Sequence, residues 1–136
     1  MTQTIEPAGT STADRVRTEP NQRRVRVFFG GEAVADSSRT LYLFETGHLP
    51  VYYFPREDVR FDLLEATSHR TRCPYKGEAV YWSVQAGGET HEDMVWSYPA
   101  PVPEAPKIEN LLAFFNEKAD ITVDGVAQER PVTKWS

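Results

Sequence analysis

Cysteine is nearly absent from this chain of 136 residues, and the single thiol is that of Cys73. One cysteine excludes an intramolecular disulfide and any zinc site that takes two thiolates from the same chain. Long apolar runs are missing too, since nowhere do the roughly 18 consecutive apolar residues of a membrane-spanning helix occur. The first residues also lack the basic and apolar regions of a signal peptide. We therefore expect a soluble, cytoplasmic protein.

Basic residues are fewer than acidic residues as well. The 15 basic and 20 acidic side chains give a net charge of −5, and Arg23, Arg24 and Arg26 form only a small basic patch. This balance gives no general attraction to nucleic acid or to an anionic membrane, so neither is an expected partner. The Gly-x-x-x-x-Gly-Lys-Ser/Thr pattern of a phosphate-binding loop does not occur.

Aromatic residues and prolines are plentiful by comparison. Aromatics make up 12% of the chain and there are ten prolines, which favours strands and turns over a helical bundle. Residues 1–20 are rich in Thr, Ser, Pro and Glu and cannot bury enough apolar surface to offset their ordering entropy. The sequence predicts a flexible tail over residues 1–20 and a single β-rich domain over residues 21–136.

Alternating apolar and polar residues predict a series of strands. Two of them flank a hairpin turn at Gly30-Gly31. Further strands are expected at 40–45, 51–54, 79–84 and 94–98, with a helical turn at 56–59 and a loop at 69–76. Residues 108–115 have apolar side chains at helical spacing, although the same residues also suit a strand paired with residues 121–125.

The segment from Thr71 to Trp82 reads Thr-x-Cys-Pro-Tyr-Lys-Gly-x-Ala-x-Tyr-Trp. It resembles the signature of the bacterial domain-of-unknown-function family numbered 427. Other blocks that look like this family follow in the same order over roughly residues 20–125, among them 52–59, 96–101 and 108–115. The resemblance implies a mostly β fold, a single compact domain with a curved, half-open barrel-like antiparallel sheet and at most one or two short helices.

The family sometimes carries a nucleotidyltransferase-like label. Such enzymes present a Gly-Ser turn followed by spaced aspartates that hold Mg²⁺ ions. In this chain Gly30-Gly31-Glu32 lacks the serine, and no Asp-x-Asp pair occurs. The residues give the label little support, so the cofactor stays unknown, and we expect no metal site.

Three residues are candidates for catalysis. Cys73 lies next to Arg72 and three residues from Lys76, and nearby cations favour the nucleophilic thiolate form of a cysteine. His69 is a candidate base for that thiol, and Glu45 is the best single carboxylate. The alternative interpretations are a small buried cysteine at a turn and, for Glu45, a charge that keeps an edge strand from aggregating.

The same segment supplies candidate ligand contacts. Lys76 is a candidate anion contact, because the adjacent Gly77 would let a ligand approach the backbone closely. Aromatic side chains could wall a small-molecule pocket or simply form core, namely Tyr75, Tyr81, Trp82, Trp96 and Tyr98. We expect the two tryptophans to face the core and the three tyrosines to be more exposed.

The leading hypothesis is therefore a small-molecule-binding β domain whose pocket surrounds residues 73–82, with a ligand of unknown identity. A second hypothesis is an enzyme that uses Cys73 or Glu45 in that pocket. A third is a protein-interaction module or homodimer that binds through strand edges or the Tyr52-Tyr53-Phe54 run.

Overall fold

The computed structural model describes residues 16–47, 49–103 and 106–131. Antiparallel strands make up most of this chain, as its content of β-branched and aromatic residues favours. They are β1 (Val16–Asn21), β2 (Val25–Phe29), β3 (Glu32–Ser37), β4 (Thr40–Glu45), β5 (Val51–Tyr53), β6 (Leu64–Cys73), β7 (Gly77–Ala86), β8 (Glu89–Ser97), β9 (Leu112–Phe114), β10 (Asp120–Val123) and β11 (Val126–Ala127). The only helices in the described ranges are 3-10 turns at Arg56–Asp58, Phe61–Leu63 and Pro106–Ile108.

The strands form three antiparallel sheets, ordered β1-β4-β5, β11-β10-β2-β3 and β6-β7-β8-β9. The first and third sheets meet at a bridge between Phe54 and Leu112, whose backbones exchange hydrogen bonds of 2.7 and 2.9 Å. This bridge continues one sheet into the other, and the strands of the described residues do not close into a barrel. The mostly β fold expected from the family is confirmed.

Local turn chemistry places the first strands. The hairpin predicted at Gly30-Gly31 is present, with β2 and β3 paired on either side and both glycines at positive φ, 57° and 82°. Such φ values suit the right-handed twist of a two-residue hairpin. Residues 16–20, part of the expected tail, lie in β1 and pair with β4. Residues 1–15 of that tail lie outside the described residues.

Two local predictions are wrong. Residues 69–73 are not a loop but the end of β6, where Thr71 pairs with Ala79 and Cys73 with Gly77. Of the two alternatives for residues 108–115 the helix is wrong and the strand is confirmed, because β9 occupies their centre and pairs with β8. Residues 121–123, the partner proposed for a strand there, pair with β2 instead. A short apolar run suits a buried strand and a helix equally well, so only long-range pairing distinguishes them.

Two hydrophobic cores lie on opposite faces of the β6-β7-β8-β9 sheet. The first core includes Val25, Val27, Phe29, Phe54, Val84, Val95, Leu112 and Phe114, and the second core is Val16, Leu43, Tyr53, Ala79, Tyr81, Tyr98, Ile108 and Ala113. Successive residues of a strand point to opposite faces, so neighbours such as Val95 and Trp96 pack against different cores.

This two-sided burial overturns the expected exposure of two of the tyrosines. Tyr81 and Tyr98 are buried, at 8% and 5% exposure, although they were expected to be more exposed than the tryptophans. Trp82 and Trp96 are only partly buried. The prediction failed because it assumed that one face of each strand meets solvent, whereas both faces of β7 and β8 meet a core.

The Tyr52-Tyr53-Phe54 run is also not the exposed surface that an interaction module would need. Tyr53 and Phe54 are each 1% exposed and belong to the second and first cores. Tyr52 alone remains partly exposed, stacked on Tyr42 with ring centroids 4.3 Å apart. In the described ranges, no helix has the length and apolar character needed to cross a bilayer.

Candidate functional site

A cavity of about 840 Å³ opens beside the second core. Its walls include the end of β4, the end of β6 and the turn that follows it, the centre of β7, and the end of β8 with the residue after it. Eight of the nine candidate residues line it: Glu45, His69, Cys73, Tyr75, Lys76, Tyr81, Trp96 and Tyr98. Volumes of this size are typical of small-molecule sites.

An ion pair between Lys76 and Glu45 forms part of the cavity wall. The Lys76 Nζ donates to Glu45 Oε1, and the side chains are only 13% and 5% exposed. Glu45 faces inward because it lies two residues after the buried Leu43 on β4. Two charges removed from water to this extent must be paired, because an isolated buried charge costs several kcal/mol.

The turn from Cys73 to Gly77 holds Lys76 in place. The Lys76 amide donates to the Cys73 carbonyl over 3.2 Å, and the Lys76 carbonyl accepts from the Val102 amide over 3.0 Å. Gly77 has a φ of 121°, and a Cβ there would meet the Ala100 carbonyl oxygen at 3.2 Å. The space beside this glycine is therefore filled by the chain itself, not left for a ligand as the sequence suggested.

Tyr98 lies next to the ammonium group. The Lys76 Nζ is 5.7 Å from the centroid of the Tyr98 ring. Burial raises the pKa of Tyr98 well above its ordinary value, so the phenol stays neutral at physiological pH. Within the described chain its hydroxyl makes no hydrogen bond to another residue. A neutral, unbonded hydroxyl on a cavity wall can donate to a ligand oxygen.

Three further hydroxyl groups at or beside the cavity are engaged within the protein. The Tyr81 hydroxyl and Thr71 Oγ1 are 2.8 Å apart, and Trp96 Nε1 donates to the Tyr53 hydroxyl over 3.1 Å. Burial also raises the pKa of Tyr53 above its ordinary value. These bonds fix the aromatic walls, since Tyr81 and Trp96 are cross-strand partners on β7 and β8.

A bulge in β6 brings His69 to the cavity mouth. Ala66 pairs with Trp82 and Arg70 with Val80, which leaves residues 67–69 opposite the single residue Tyr81. The His69 ring then packs on Tyr81, with centroids 4.5 Å apart. His69 and Cys73 share the cavity wall, but no hydrogen bond between them is present in the described structure.

Trp82 is the one candidate that does not line the cavity. It points to the opposite face of β7, where its ring lies edge-on to Phe61 at 6.0 Å and beneath the Arg56 guanidinium at 5.9 Å. The alternation of β7 explains this placement, because Tyr81 and Trp82 are adjacent and must point to opposite faces.

Several residues that line the cavity were not among the candidates. Leu43 and Val51 come from β4 and β5, and Phe115 and Asn116 follow β9. The place of Leu43 could have been predicted, since alternation along β4 puts Leu43 on the same strand face as Glu45. No local pattern predicted that Phe115 and Asn116 line the cavity, because only the pairing of β9 with β8 brings them there.

Across the residues that the structure describes, no three His, Cys, Asp or Glu side chains lie close enough together to hold a metal ion.

Comparison with known proteins identifies the chain only at the level of its domain. A family model described as a domain of unknown function (DUF427) matches residues 17–125. No curated protein matches the chain. The matched segment runs from the second residue of β1 to the turn between β10 and β11, and so contains nearly the whole cavity wall. The chain therefore belongs to the family described as domain of unknown function DUF427.

Proposed function

We propose that this domain binds a small organic molecule in the cavity around residues 73–82. The observation that carries the proposal is the Glu45–Lys76 ion pair, which is buried yet forms part of an open wall. Replacing a buried ion pair by apolar side chains is often neutral or stabilising. A pair that is kept at the edge of a cavity is therefore better suited to recognising a ligand than to supporting the fold.

The surrounding groups suit a ligand with an apolar body and a polar end. Tyr81, Trp96 and Tyr98 provide aromatic walls, and the Tyr98 hydroxyl and the Lys76 ammonium provide hydrogen-bond donors. Arg72 stands exposed at the mouth and lines the same cavity. A few polar groups in a mainly aromatic cavity are typical of sites that fix the orientation of small molecules.

The experiment is a thermal-shift screen of the purified protein against nucleotides, sugars, phosphorylated metabolites, organic acids and aromatic aldehydes and alcohols. A ligand at about 100 times its dissociation constant should add roughly 2.7 kcal/mol to the free energy of unfolding. Trp96→Phe should weaken that shift, since Trp96 lines the cavity. Trp82→Phe, on the opposite face of β7, is the matched control and should keep it. Equal shifts in both variants would contradict binding at this site.

An enzyme that uses Cys73 or Glu45 is the second candidate. It is favoured by the presence of Cys73, His69 and Glu45 on one cavity wall. Such an enzyme should carry a thiol that reacts with iodoacetamide markedly faster than a cysteine in an unfolded peptide. An ordinary alkylation rate would remove Cys73 as a nucleophile and leave Glu45 as the group to test.

A homodimer and a cytoplasmic location are further proposals. The partly exposed Tyr42–Tyr52 stack of β4 and β5 supports a self-association surface. Light scattering across a range of protein concentrations tests the homodimer, and monomer behaviour throughout would exclude it. Fractionation of cells that express the tagged chain tests the location.

A further inference from the structure

One of the four lysines of the chain differs from the others in its surroundings. Lys76 directs its amine into the cavity wall with 13% of its side chain exposed. Lys107 and Lys118 are exposed, and Lys134 lies outside the described residues. A primary amine held inside an aromatic cavity is a nucleophile for carbonyl carbon, provided that a neighbouring group accepts its proton.

Glu45 is positioned to accept that proton, since its carboxylate bonds directly to the Lys76 ammonium. We propose that Lys76 forms an imine with an aldehyde or ketone that has an aromatic or apolar body. This inference rests on the proposed function, because the cavity must first bind a small molecule. It adds the chemical class of that molecule and the atom with which it reacts.

The steps balance within the pair. A proton passes from Lys76 Nζ to Glu45, and the neutral amine attacks the carbonyl carbon, so that an N–C bond forms while the carbonyl electron pair moves to oxygen. Transfer of a proton from nitrogen to that oxygen gives a carbinolamine. Glu45 then returns its proton to the hydroxyl, water leaves, and the nitrogen lone pair forms the C=N bond. The product is a protonated imine beside an ionised Glu45, which restores the original pair of charges.

Tyr98 supplies a hydrogen-bond donor for the carbonyl oxygen of the substrate. Its neutral hydroxyl lines the same cavity and makes no hydrogen bond in the described structure. Donation from this hydroxyl to the carbonyl oxygen stabilises the negative charge that develops during attack. The aromatic walls of Tyr81 and Trp96 restrict water around the C=N bond and so slow its hydrolysis.

The test is reductive trapping. The chain of 136 residues is incubated with benzaldehyde or 4-formylbenzoate and sodium cyanoborohydride, and the modified lysine is identified by peptide mass spectrometry. The expected result is an adduct mainly at Lys76, despite its burial, with much less at the exposed Lys107 and Lys118. Labelling in proportion to exposure would overturn the proposal, and this comparison needs no variant.

Variants then test the role of Glu45. Glu45→Gln should slow trapping at Lys76 by roughly a hundredfold, the low end of the effect of a positioned acid–base group. Lys118→Met, which removes an exposed lysine, is the control and should leave the rate unchanged. An unchanged rate in a folded Glu45→Gln protein, as checked by circular dichroism, would overturn the proposal.

The matching alcohols separate this inference from simple binding. Benzyl alcohol and 4-(hydroxymethyl)benzoate have the same bodies as the aldehydes but cannot form an imine. If an alcohol raises the melting temperature while its aldehyde is not trapped at Lys76, the imine is excluded and small-molecule binding stands. If neither aldehyde is trapped and neither alcohol binds, the imine is likewise excluded, and the wider screen decides the proposed function.

Discussion

Glu45 and Lys76 show how one residue depends on another that is 31 positions away. Each side chain is largely removed from water, at 5% and 13% exposure, and pairing the two charges offsets part of the cost of burying them. In the exposed ion pairs of this protein, both the loss of hydration and the gain from pairing are small. Arg130 and Asp120, for example, keep 49% and 62% exposure and lose little hydration when they pair.

Replacing one partner of the buried pair should therefore lower the free energy of unfolding more than replacing both partners. Lys76→Met is expected to lower the free energy of unfolding by about 3 kcal/mol, because the buried Glu45 carboxylate loses the opposite charge beside it. Lys76→Met combined with Glu45→Met should regain most of that loss. Urea denaturation measures the difference.

The exposed pair provides the control for this prediction. Arg130→Met should change the free energy of unfolding by less than about 1 kcal/mol. A double variant at positions 45 and 76 that is less stable than Lys76→Met would show that the ion pair itself stabilises the fold.

The buried phenols predict a loss of stability in alkali. Burial raises the pKa of Tyr98 above the ordinary tyrosine value of 10.0, and it raises the pKa of Tyr52 to about 12. Above pH 10 the unfolded chain loses phenolic protons that the folded chain retains, so stability is complete below that pH and falls as the pH rises. Tyr98→Phe should reduce this slope by up to about 1.4 kcal/mol per pH unit. Urea midpoints between about pH 9 and pH 11 test it, and an unchanged slope would contradict it.

At the level of strands and turns, irregularities decide where side chains of the site lie. The bulge at residues 67–69 of β6 faces a second one in β8, where residues 92–94 lie opposite Ser83. Thr67 Oγ1 donates to Asp93 Oδ1 over 2.7 Å and links the two bulges. Together they shift the register on both sides of β7, and the β6 bulge carries His69 to the cavity mouth.

Contact between two hairpin turns gives a prediction at this scale. A Cβ at Gly87 would lie 2.6 Å from the Cα of Gly30, whereas a Cβ at Gly88 would meet nothing within 4 Å. Both positions have positive φ, 63° and 80°, so alanine is strained at either. Gly87→Ala should cost about 1–3 kcal/mol more than Gly88→Ala, because it also overpacks the turn contact. Equal urea midpoints for the two variants would show that the turns separate without cost.

Over the whole molecule, the β6-β7-β8-β9 sheet serves both cores. Val84 on β7 and Val95 on β8 pack in the first core, while Tyr81 on β7 and Ala113 on β9 pack in the second. The bridge between Phe54 and Leu112 then ties this sheet to β5. Because neither core can lose the sheet without exposing the other, the two cores should unfold together.

Phe114→Ala tests this cooperativity. Phe114 is 2% exposed and packs edge-on to Phe54 with ring centroids 5.5 Å apart, so its loss should cost about 3–5 kcal/mol. In a Trp135→Phe background, tryptophan fluorescence reports Trp82 beside the first core and Trp96 beside the second. Fluorescence and far-ultraviolet circular dichroism should give one coincident urea transition. Two separate transitions would show that the cores are independent.

The local sequence determined much of this protein. The Gly30-Gly31 hairpin, the β4 and β5 strands and the turn before Gly77 follow from glycine, proline and alternating side chains, which act over a few residues. The family and most candidate site residues could also be predicted, because the motif from Thr71 to Trp82 places these residues close together in the chain.

The tertiary structure decided which of those groups meet. The sequence offered Glu45 and Lys76 as separate candidates, and only the packing of β4 against the turn after β6 joins them. The sequence also could not show that both faces of β7 are buried. Tyr81 therefore lies at the cavity and Trp82 packs on the opposite side of the strand. Alternation shows which residues share a strand face, but what covers each face depends on strands far away in the chain.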